Sequence, residues 1–205
     1  IRRYGFHGIA LESVLEQFAY RCQQNKKPMP EKIIIVHLGG GSSVTGVQHG
    51  QSVVTSMGVT PLEGAMMITR SGSVDPDIFR ILHNKGVSVD VISDMFNKRS
   101  GFAGLTDSTD TKQIIEDAMV GMEPYATAYR MYVNSIVSYI FAYYAQLQGA
   151  DALLFSGGIG FRNEYIRPSI LEKTQIIGLD STNTYAFQAD EARIIYQYIN
   201  KLKPY

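Results

Sequence analysis

IIIVHLGGGSSVTGVQHGQSVV, residues 33–54, passes from an apolar run to three glycines and then to an alternating pattern. The apolar run over residues 33–36 is typical of a fully buried strand. The alternation over residues 44–48, the turn at residues 49–50 and the return through Val53 and Val54 predict two further strands. The stretch therefore predicts three strands joined by tight turns, with glycines at the first turn.

A second stretch repeats this arrangement. DALLFSGGIG, residues 151–160, contains a predicted strand over residues 152–155 that ends in Gly157, Gly158 and Gly160. In such turns the backbone amides can point at phosphate oxygens without a Cβ in the way, and a following helix adds its positive end. Neither junction contains the P-loop pattern. Each alone fits a tight hairpin, but the two together indicate a ligand held at the carboxyl edge of a sheet.

The remaining sequence predicts mostly helices. Residues 56–73 fit neither the helical nor the strand period, which predicts a long ordered loop with a short helical turn. Together with the strands, the helical patterns indicate an α/β fold with a mixed sheet. The predicted helices cover residues 8–24, a segment that starts at Asp75-Pro76 and ends at Gly86, a segment capped by Ser88, a short segment from about Asp110, and residues 123–148, 163–173 and 190–202.

The helix over residues 123–148 carries an unusually wide stripe of tyrosine and aliphatic side chains. Such a stripe predicts a helix that is buried on more than one side. Two interpretations fit it: a central core helix, or a helix at a dimer interface.

Composition limits the classes of function. The chain has 205 residues, 19 basic and 19 acidic, so electrostatics give no reason to expect nucleic acid or an anionic membrane as a partner. No apolar run approaches the roughly 20 residues that a membrane span needs. The single Cys22 excludes an internal disulfide and fits a cytoplasmic location. Because the chain begins without methionine, we expect a fragment or a processed product.

Basic side chains supply candidate groups for binding anions. RRYGFHG, residues 2–8, places Arg2, Arg3 and His7 around aromatic residues, and TRSGSVDP places Arg70 among small residues. The planar guanidinium donates hydrogen bonds in pairs to phosphoryl or carboxylate groups. A histidine can donate to charge that develops in a transition state. The simpler alternatives are a histidine satisfied within a turn and an arginine in a surface ion pair.

Six motifs, taken in order along the chain, resemble those of the acetate kinase family. They are RRYGFHG, HLGGGSS, TSMGVTPLEGAMMITRSGSVDP, NKRSGFAGLT, DALLFSGGIG and ADEARIIY. The resemblance covers essentially the whole chain, and residues 56–76 carry its most specific part. It implies that residues 1–205 form a C-terminal nucleotide-binding lobe of the actin, sugar kinase and Hsp70 type. The N-terminal lobe of the family, with its own phosphate cradle, substrate arginine and catalytic aspartate, would be absent from this chain.

The resemblance also implies a reaction and a set of site residues. Members of the family transfer the terminal phosphoryl group of ATP to acetate, giving acetyl phosphate and ADP, with Mg²⁺. Arg70 and His7 would stabilise the transition state, and Glu191 would help to hold Mg²⁺. The implied nucleotide-binding residues are His37, Leu38, Gly39, Gly40, Gly41, Asp110, Thr111, Lys112, Gly158, Ile159, Gly160, Phe161 and Arg162, with residues 158–160 opening an adenosine loop.

Three departures from the family pattern concern the nucleotide. Gly40 stands where many members have asparagine, and Lys112 replaces an arginine. Phe161-Arg162-Asn163 replaces Glu-Asn-Ser, so we expect a relaxed preference among purine nucleotides. Finally, the passage between Leu179 and Ala189 is shorter than in the family, whose members carry a clear strand there.

Two other functions stay open. One is a propionate or butyrate kinase of the same superfamily, although the TPLEG and TRSG segments favour acetate or propionate. The other is a noncatalytic module for nucleotide binding or dimerisation. The resemblance further implies small-molecule substrates and a cytoplasmic homodimer.

Overall fold

A five-stranded mixed sheet forms the centre of the computed structural model, which describes residues 2–202. Its strands are β1 (Lys32–Leu38), β2 (Ser42–Gln48), β3 (Gln51–Thr55), β4 (Ala152–Ser156) and β5 (Thr184–Ala186), in the order β3-β2-β1-β4-β5. Strands β1, β2 and β3 are antiparallel neighbours, whereas β4 lies parallel to both β1 and β5. The three leading strands and the mixed sheet are confirmed.

Nine α-helices surround the sheet within the described residues. They are α1 (Gly8–Gln24), α2 (Asp77–Asn84), α3 (Val89–Lys98), α4 (Gly101–Thr106), α5 (Thr111–Met119), α6 (Tyr125–Leu147), α7 (Gly157–Arg162), α8 (Ile166–Thr174) and α9 (Glu191–Leu202). A short 3₁₀-helix, Gln175–Ile177, follows α8. No helix in this part of the chain is long and apolar enough to span a membrane.

The sheet separates two apolar layers. Because side chains alternate along a strand, Ile34 and Val36 of β1 face one layer and Ile33 and Ile35 face the other. The first layer is the larger and contains α6, whereas the second contains α1. The edge of the sheet at which β1 and β4 end is thus supported by an apolar layer on each face.

Helix α6 is a core helix. Tyr132, Ile136 and Ile140 are fully buried, and the helix packs against α4, α5, α8 and the sheet. The Tyr132 hydroxyl lies 2.9 Å from Ser42 Oγ, so even its buried polar atom has a partner. The core interpretation of the wide stripe is therefore confirmed.

Several elements differ from the sequence predictions. Helix α2 begins at Asp77 and not at Pro76; Asp75 still acts at this end, since its Oδ1 accepts from the Asp77 amide at 2.9 Å. The loop over residues 56–73 is confirmed, but it contains no helix, and only residues 61–62 form a turn. Helix α4 was not predicted.

The passage between Leu179 and Ala189 also differs from expectation. The strand patterns in the sequence assign no strand to this shortened passage, yet it contains β5. This strand has only three residues, and it forms because β4 offers a parallel partner: Leu154 pairs with Tyr185 and Phe155 with Ala186.

Candidate active site

The two strand-to-glycine junctions meet at one edge of the sheet. Gly157 follows β4 with a φ of +78°, a backbone conformation that glycine adopts without strain. A Cβ at this position would collide with the backbone of Leu38 at the end of β1. Residues 157–162 then form helix α7, so the adenosine loop expected from residue 158 onward is a short helix. Close packing on β1 therefore requires a glycine at position 157 despite its low helix propensity.

His7 lies beside the first glycine turn. It immediately precedes α1, and its Nδ1 is 2.8 Å from Ser43 Oγ on β2. Its other ring nitrogen, Nε2, lies 3.4 Å from the point that a Cβ on Gly41 would occupy. Its ring centroid is 4.3 Å from that of His37. Burial first, and then the neighbouring His37 and Arg70, lower the pKa of His7 to about 4, although Glu191 opposes this shift.

Arg70 approaches the same point on Gly41 as His7 does. Its Nη1 lies 3.3 Å from the point that a Cβ on Gly41 would occupy. Its backbone carbonyl accepts from the Met67 amide at 3.1 Å, and the start of α4 packs on this loop, where the Phe102 amide donates to the Met67 carbonyl at 3.2 Å. The structure thus brings His7, Arg70 and the glycine turn together, and the unpredicted helix α4 supports the loop that carries Arg70.

A cleft of about 280 Å³, the His37 cleft, opens beside this turn. His37 itself is only 8% exposed, and burial lowers its pKa to about 4. The carboxylate of Glu191, in the first turn of α9, stands in the same cleft. The cleft is lined by His37, Gly39, Gly157, Gly158, Phe161, Arg162, Gln188, Ala189 and Glu191.

A second cleft of about 260 Å³, the Tyr165 cleft, lies on the other side of α7. Gly158 and Arg162 line both clefts, so the two are adjacent. Phe161 lines only the His37 cleft, and the aromatic side chain in the second cleft is Tyr165. The Tyr165 cleft is lined by Thr111, Lys112, Glu116, Gly158, Ile159, Arg162, Asn163, Glu164 and Tyr165.

Three expected nucleotide-binding residues have structural roles. Asp110 caps α5: its Oδ1 accepts from the amides of Lys112 and Gln113 at 3.1 and 3.2 Å. Leu38 is fully buried in the larger apolar layer, so only its backbone can reach a ligand. Gly160 is buried, and a Cβ on it would lie 3.6 Å from the Leu38 side chain.

The backbone amides of the glycine turn differ in whether they already donate a hydrogen bond within the chain. The Gly39 amide already donates to the Gly41 carbonyl at 2.9 Å. Within residues 2–202 the amides of Gly40 and Gly41 have no such acceptor, so they are free to bind a ligand. A Cβ on Gly40 would meet nothing within 4 Å, whereas one on Gly41 would contact His7, Arg70 and Met57.

The two arginines near the start of the chain lie apart from this site. Arg3 pairs with Glu63, and the Arg2 guanidinium lies 5.9 Å from the Tyr4 ring centroid. Both line a larger cavity, about 720 Å³, between α1 and strands β2 and β3. Of the candidate anion-binding groups in RRYGFHG, it is His7 that reaches the glycine turn.

The described residues hold no group of three His, Cys, Asp or Glu side chains that could bind a metal by themselves. A Mg²⁺ site needs fewer protein ligands, because this ion commonly takes one or two carboxylates and completes its shell with phosphates and water. Glu191, a carboxylate within the His37 cleft, is compatible with that requirement.

Comparisons with known proteins identify the family of the chain. A model of the acetokinase family matches residues 1–200. Acetate kinase of Carboxydothermus hydrogenoformans is 40% identical over 181 residues, which are 87% of this chain and 44% of that protein. The chain thus spans less than half the length of this curated relative.

Two solved structures share the fold. The crystal structure of Porphyromonas gingivalis acetate kinase has a TM-score of 0.88 at 30% identity, over 99% of this chain and 56% of that one. A propionate kinase from Francisella tularensis has a TM-score of 0.87 at 33% identity, over 96% of this chain and 55% of that one. The predicted fold class, an α/β lobe of the actin, sugar kinase and Hsp70 type, is confirmed.

Proposed function

The chain belongs to the acetokinase family, and on that premise we propose that it is the C-terminal nucleotide-binding lobe of an acetate kinase. The complete enzyme would transfer the terminal phosphoryl group of ATP to acetate, reversibly, with acetyl phosphate and ADP as products. An N-terminal lobe would supply the rest of the active site. The observation that carries this proposal is that His7 Nε2 and Arg70 Nη1 converge, at 3.4 and 3.3 Å, on the point that a Cβ on Gly41 would occupy.

This placement suits phosphoryl transfer, whose loose transition state requires positioning and charge neutralisation more than covalent chemistry. Arg70 would neutralise the phosphoryl group with its planar fork of donors. His7 would act as a neutral donor, because a pKa of about 4 leaves its ring uncharged at pH 7. If the Ser43 hydroxyl donates to Nδ1, the proton of His7 resides on Nε2, next to Gly41.

The nucleotide would lie along the two clefts. Its phosphates would contact the amides of Gly40 and Gly41 and enter the His37 cleft, and its adenosine would occupy the Tyr165 cleft beside Thr111, Lys112 and Ile159. Glu191 would help to hold Mg²⁺, which supplies positive charge to the phosphates when bound. Asp110 would act indirectly, because it fixes the start of α5 on which Thr111 and Lys112 stand.

We also propose a cytoplasmic homodimer. The free, buried Cys22 is compatible with a reducing compartment, where ATP is available. Because most of α6 is buried, we place the dimer contact on another apolar surface. Helix α2 has no buried residue, and it exposes Ile78, Phe79 and Ile81. These side chains are suited to contact a second copy.

A second candidate is a propionate kinase, because the propionate kinase structure is as similar in fold and slightly more identical in sequence than the acetate kinase one. The two acids differ by one methylene, which a pocket discriminates by only about 1–3 kcal/mol.

The test is a coupled assay of the complete gene product with ATP, Mg²⁺ and each of acetate, propionate and butyrate. Acetate should give the highest kcat/KM. A preference for propionate would establish the second candidate, and preference for butyrate would contradict both. Nucleotide binding without turnover of any acid would indicate a noncatalytic module.

A further inference from the structure

Two buried polar atoms without a hydrogen-bond partner stand side by side at the functional edge of the sheet. Within the described residues, three buried side-chain atoms have no partner: His37 Nδ1, Ser156 Oγ and Thr184 Oγ1. His37 and Ser156 are paired in register across the parallel strands β1 and β4, whereas Thr184 pairs with Leu153 farther from the edge. An unsatisfied buried polar group costs about 1–3 kcal/mol, so two adjacent ones indicate a shared function.

The sheet places these two side chains on one face. Residues in register on neighbouring strands point the same way, and alternation puts both on the α1 side, with Ile35 of β1 and Leu154 of β4. His37 is also in register with Ser43, the residue that contacts His7. Ser43, His37 and Ser156 thus form a row across three strands.

The two nitrogens of His37 have different surroundings. Nδ1 is enclosed, whereas Nε2 lies 3.9 Å from the point that a Cβ on Gly39 would occupy, beside the His37 cleft. A neutral imidazole carries one donor and one acceptor, and the partner of one nitrogen decides the role of the other. A hydroxyl that donates to Nδ1 would therefore leave the proton on Nε2.

We propose that Ser156 is a positioning residue: its hydroxyl donates to His37 Nδ1, directly or through one water, and thereby fixes the tautomer that presents Nε2–H to the His37 cleft. On the proposed function, on which this second step rests, that N–H donates to a phosphate oxygen of the nucleotide. Two buried polar atoms would then each gain a partner, and the cleft would gain an uncharged donor.

The tautomer is measurable without any nucleotide. In ¹⁵N spectra of the full chain at pH 7, with His37→Gln to assign the signals, the two ring nitrogens report which of them carries the proton. We expect the proton on Nε2 in the native chain and in Ser156→Thr, which keeps the hydroxyl. Ser156→Ala should give a mixture of tautomers. The matched control is Ser42→Ala, another buried serine, whose Oγ faces Tyr132, and it should leave His37 unchanged.

A native His37 protonated on Nδ1 would overturn the proposal, as would an unchanged Nε2–H tautomer in Ser156→Ala. In the complete gene product, Ser156→Ala should raise the KM for ATP about fivefold, which corresponds to the loss of about one hydrogen bond. The KM for acetate should be unchanged. If Ser156→Ala shifts the His37 tautomer but leaves the KM for ATP unchanged, the proposed contact between His37 and a phosphate is wrong. That contact depends on the proposed function, whereas the positioning role of Ser156 would still stand.

Discussion

His7 Nδ1 lies 2.8 Å from Ser43 Oγ, and the two residues are held there by different elements: His7 precedes α1, and Ser43 belongs to β2. The contact orients the imidazole so that its other nitrogen lies next to Gly41. Ser43, which has no proposed catalytic role of its own, thus orients His7, which has one.

Replacing Ser43 tests this relationship. In the complete gene product, Ser43→Ala should lower kcat about tenfold with little change in either KM, because the His7 ring loses the partner that orients its transition-state donor. Thr45→Ala is the matched control, since it removes the buried contact with Thr55 Oγ1, 3.0 Å away on the adjacent strand. Equal losses of kcat in the two variants would contradict a specific role for Ser43.

Arg70 should be far more sensitive. Arg70→Ala should depress turnover at least about 100-fold, since a charge-assisted contact made mainly in the transition state is lost. Arg70→Lys should restore little of it, because a point charge cannot reproduce the guanidinium fork. Steady-state kinetics give both values. Near-normal turnover of Arg70→Ala would show that the assigned role is wrong.

Acid should destabilise the chain through its buried histidines. His7 and His37 each have a pKa of about 4 in the folded state, below the ordinary 6.5. The unfolded chain therefore binds more protons between these values, so the free energy of unfolding is highest above pH 6.5 and falls as the pH drops toward 4. Urea unfolding at pH 7 and pH 5 measures the loss.

His37→Gln should reduce this pH dependence of the free energy of unfolding. A His37→Gln chain that loses as much stability as the native chain between pH 7 and pH 5 would contradict the assignment to His37.

Base recognition should depend on Tyr165 more than on Phe161. Tyr165 lines the cleft proposed for adenosine, and stacking of a base on an aromatic ring contributes about 1–3 kcal/mol. Tyr165→Ala should therefore raise the KM for ATP and for GTP about equally, whereas Tyr20→Ala, at a 64% exposed tyrosine on α1, should raise neither. Competition kinetics should show ATP preferred over GTP by less than about 100-fold, which is about 2.7 kcal/mol. A larger preference would show an intact base pocket.

The proposed dimer is tested by light scattering at micromolar concentration. The native chain should be dimeric and Ile81→Asp monomeric, because a charge would be placed in the apolar contact on α2. Val120→Asp, at a 77% exposed residue after α5, is the control and should remain dimeric. A charge at Ile136 on α6 would not test the dimer, since this residue is fully buried and the substitution would unfold the chain. A folded native monomer would end the proposal.

The elements that sequence predicted well are those whose pattern is local. Strands β1 to β3 follow from an apolar run, alternation and turns, and Ser88 caps α3 as expected, accepting from the Val91 amide. Helices α4 and α7 were missed because each has six residues and two or more glycines, and packing on a neighbouring backbone stabilises them. Strand β5 likewise exists only through its pairing with β4.

The site divides in the same way. The glycine turns are local features, so they could be found in the sequence. Ser43, Ser156 and Tyr165 acquire their places from strand register and helix packing, which no spacing in the chain reveals. Asp110 carried a usable signal, an aspartate just before a helical pattern, which is a capping residue on general grounds.

Two adjacent glycines in the first turn face opposite evolutionary constraints. Gly40 borders open space, so substitutions there can accumulate with little effect on packing. A methyl group on Gly41 would push His7, Arg70 and Met57 by a few tenths of an ångström, an amount that the fold tolerates better than catalysis does. In a deep mutational scan of the complete gene product, position 40 should therefore be permissive, and position 41 should lose the proposed kinase activity sooner than it loses protein abundance.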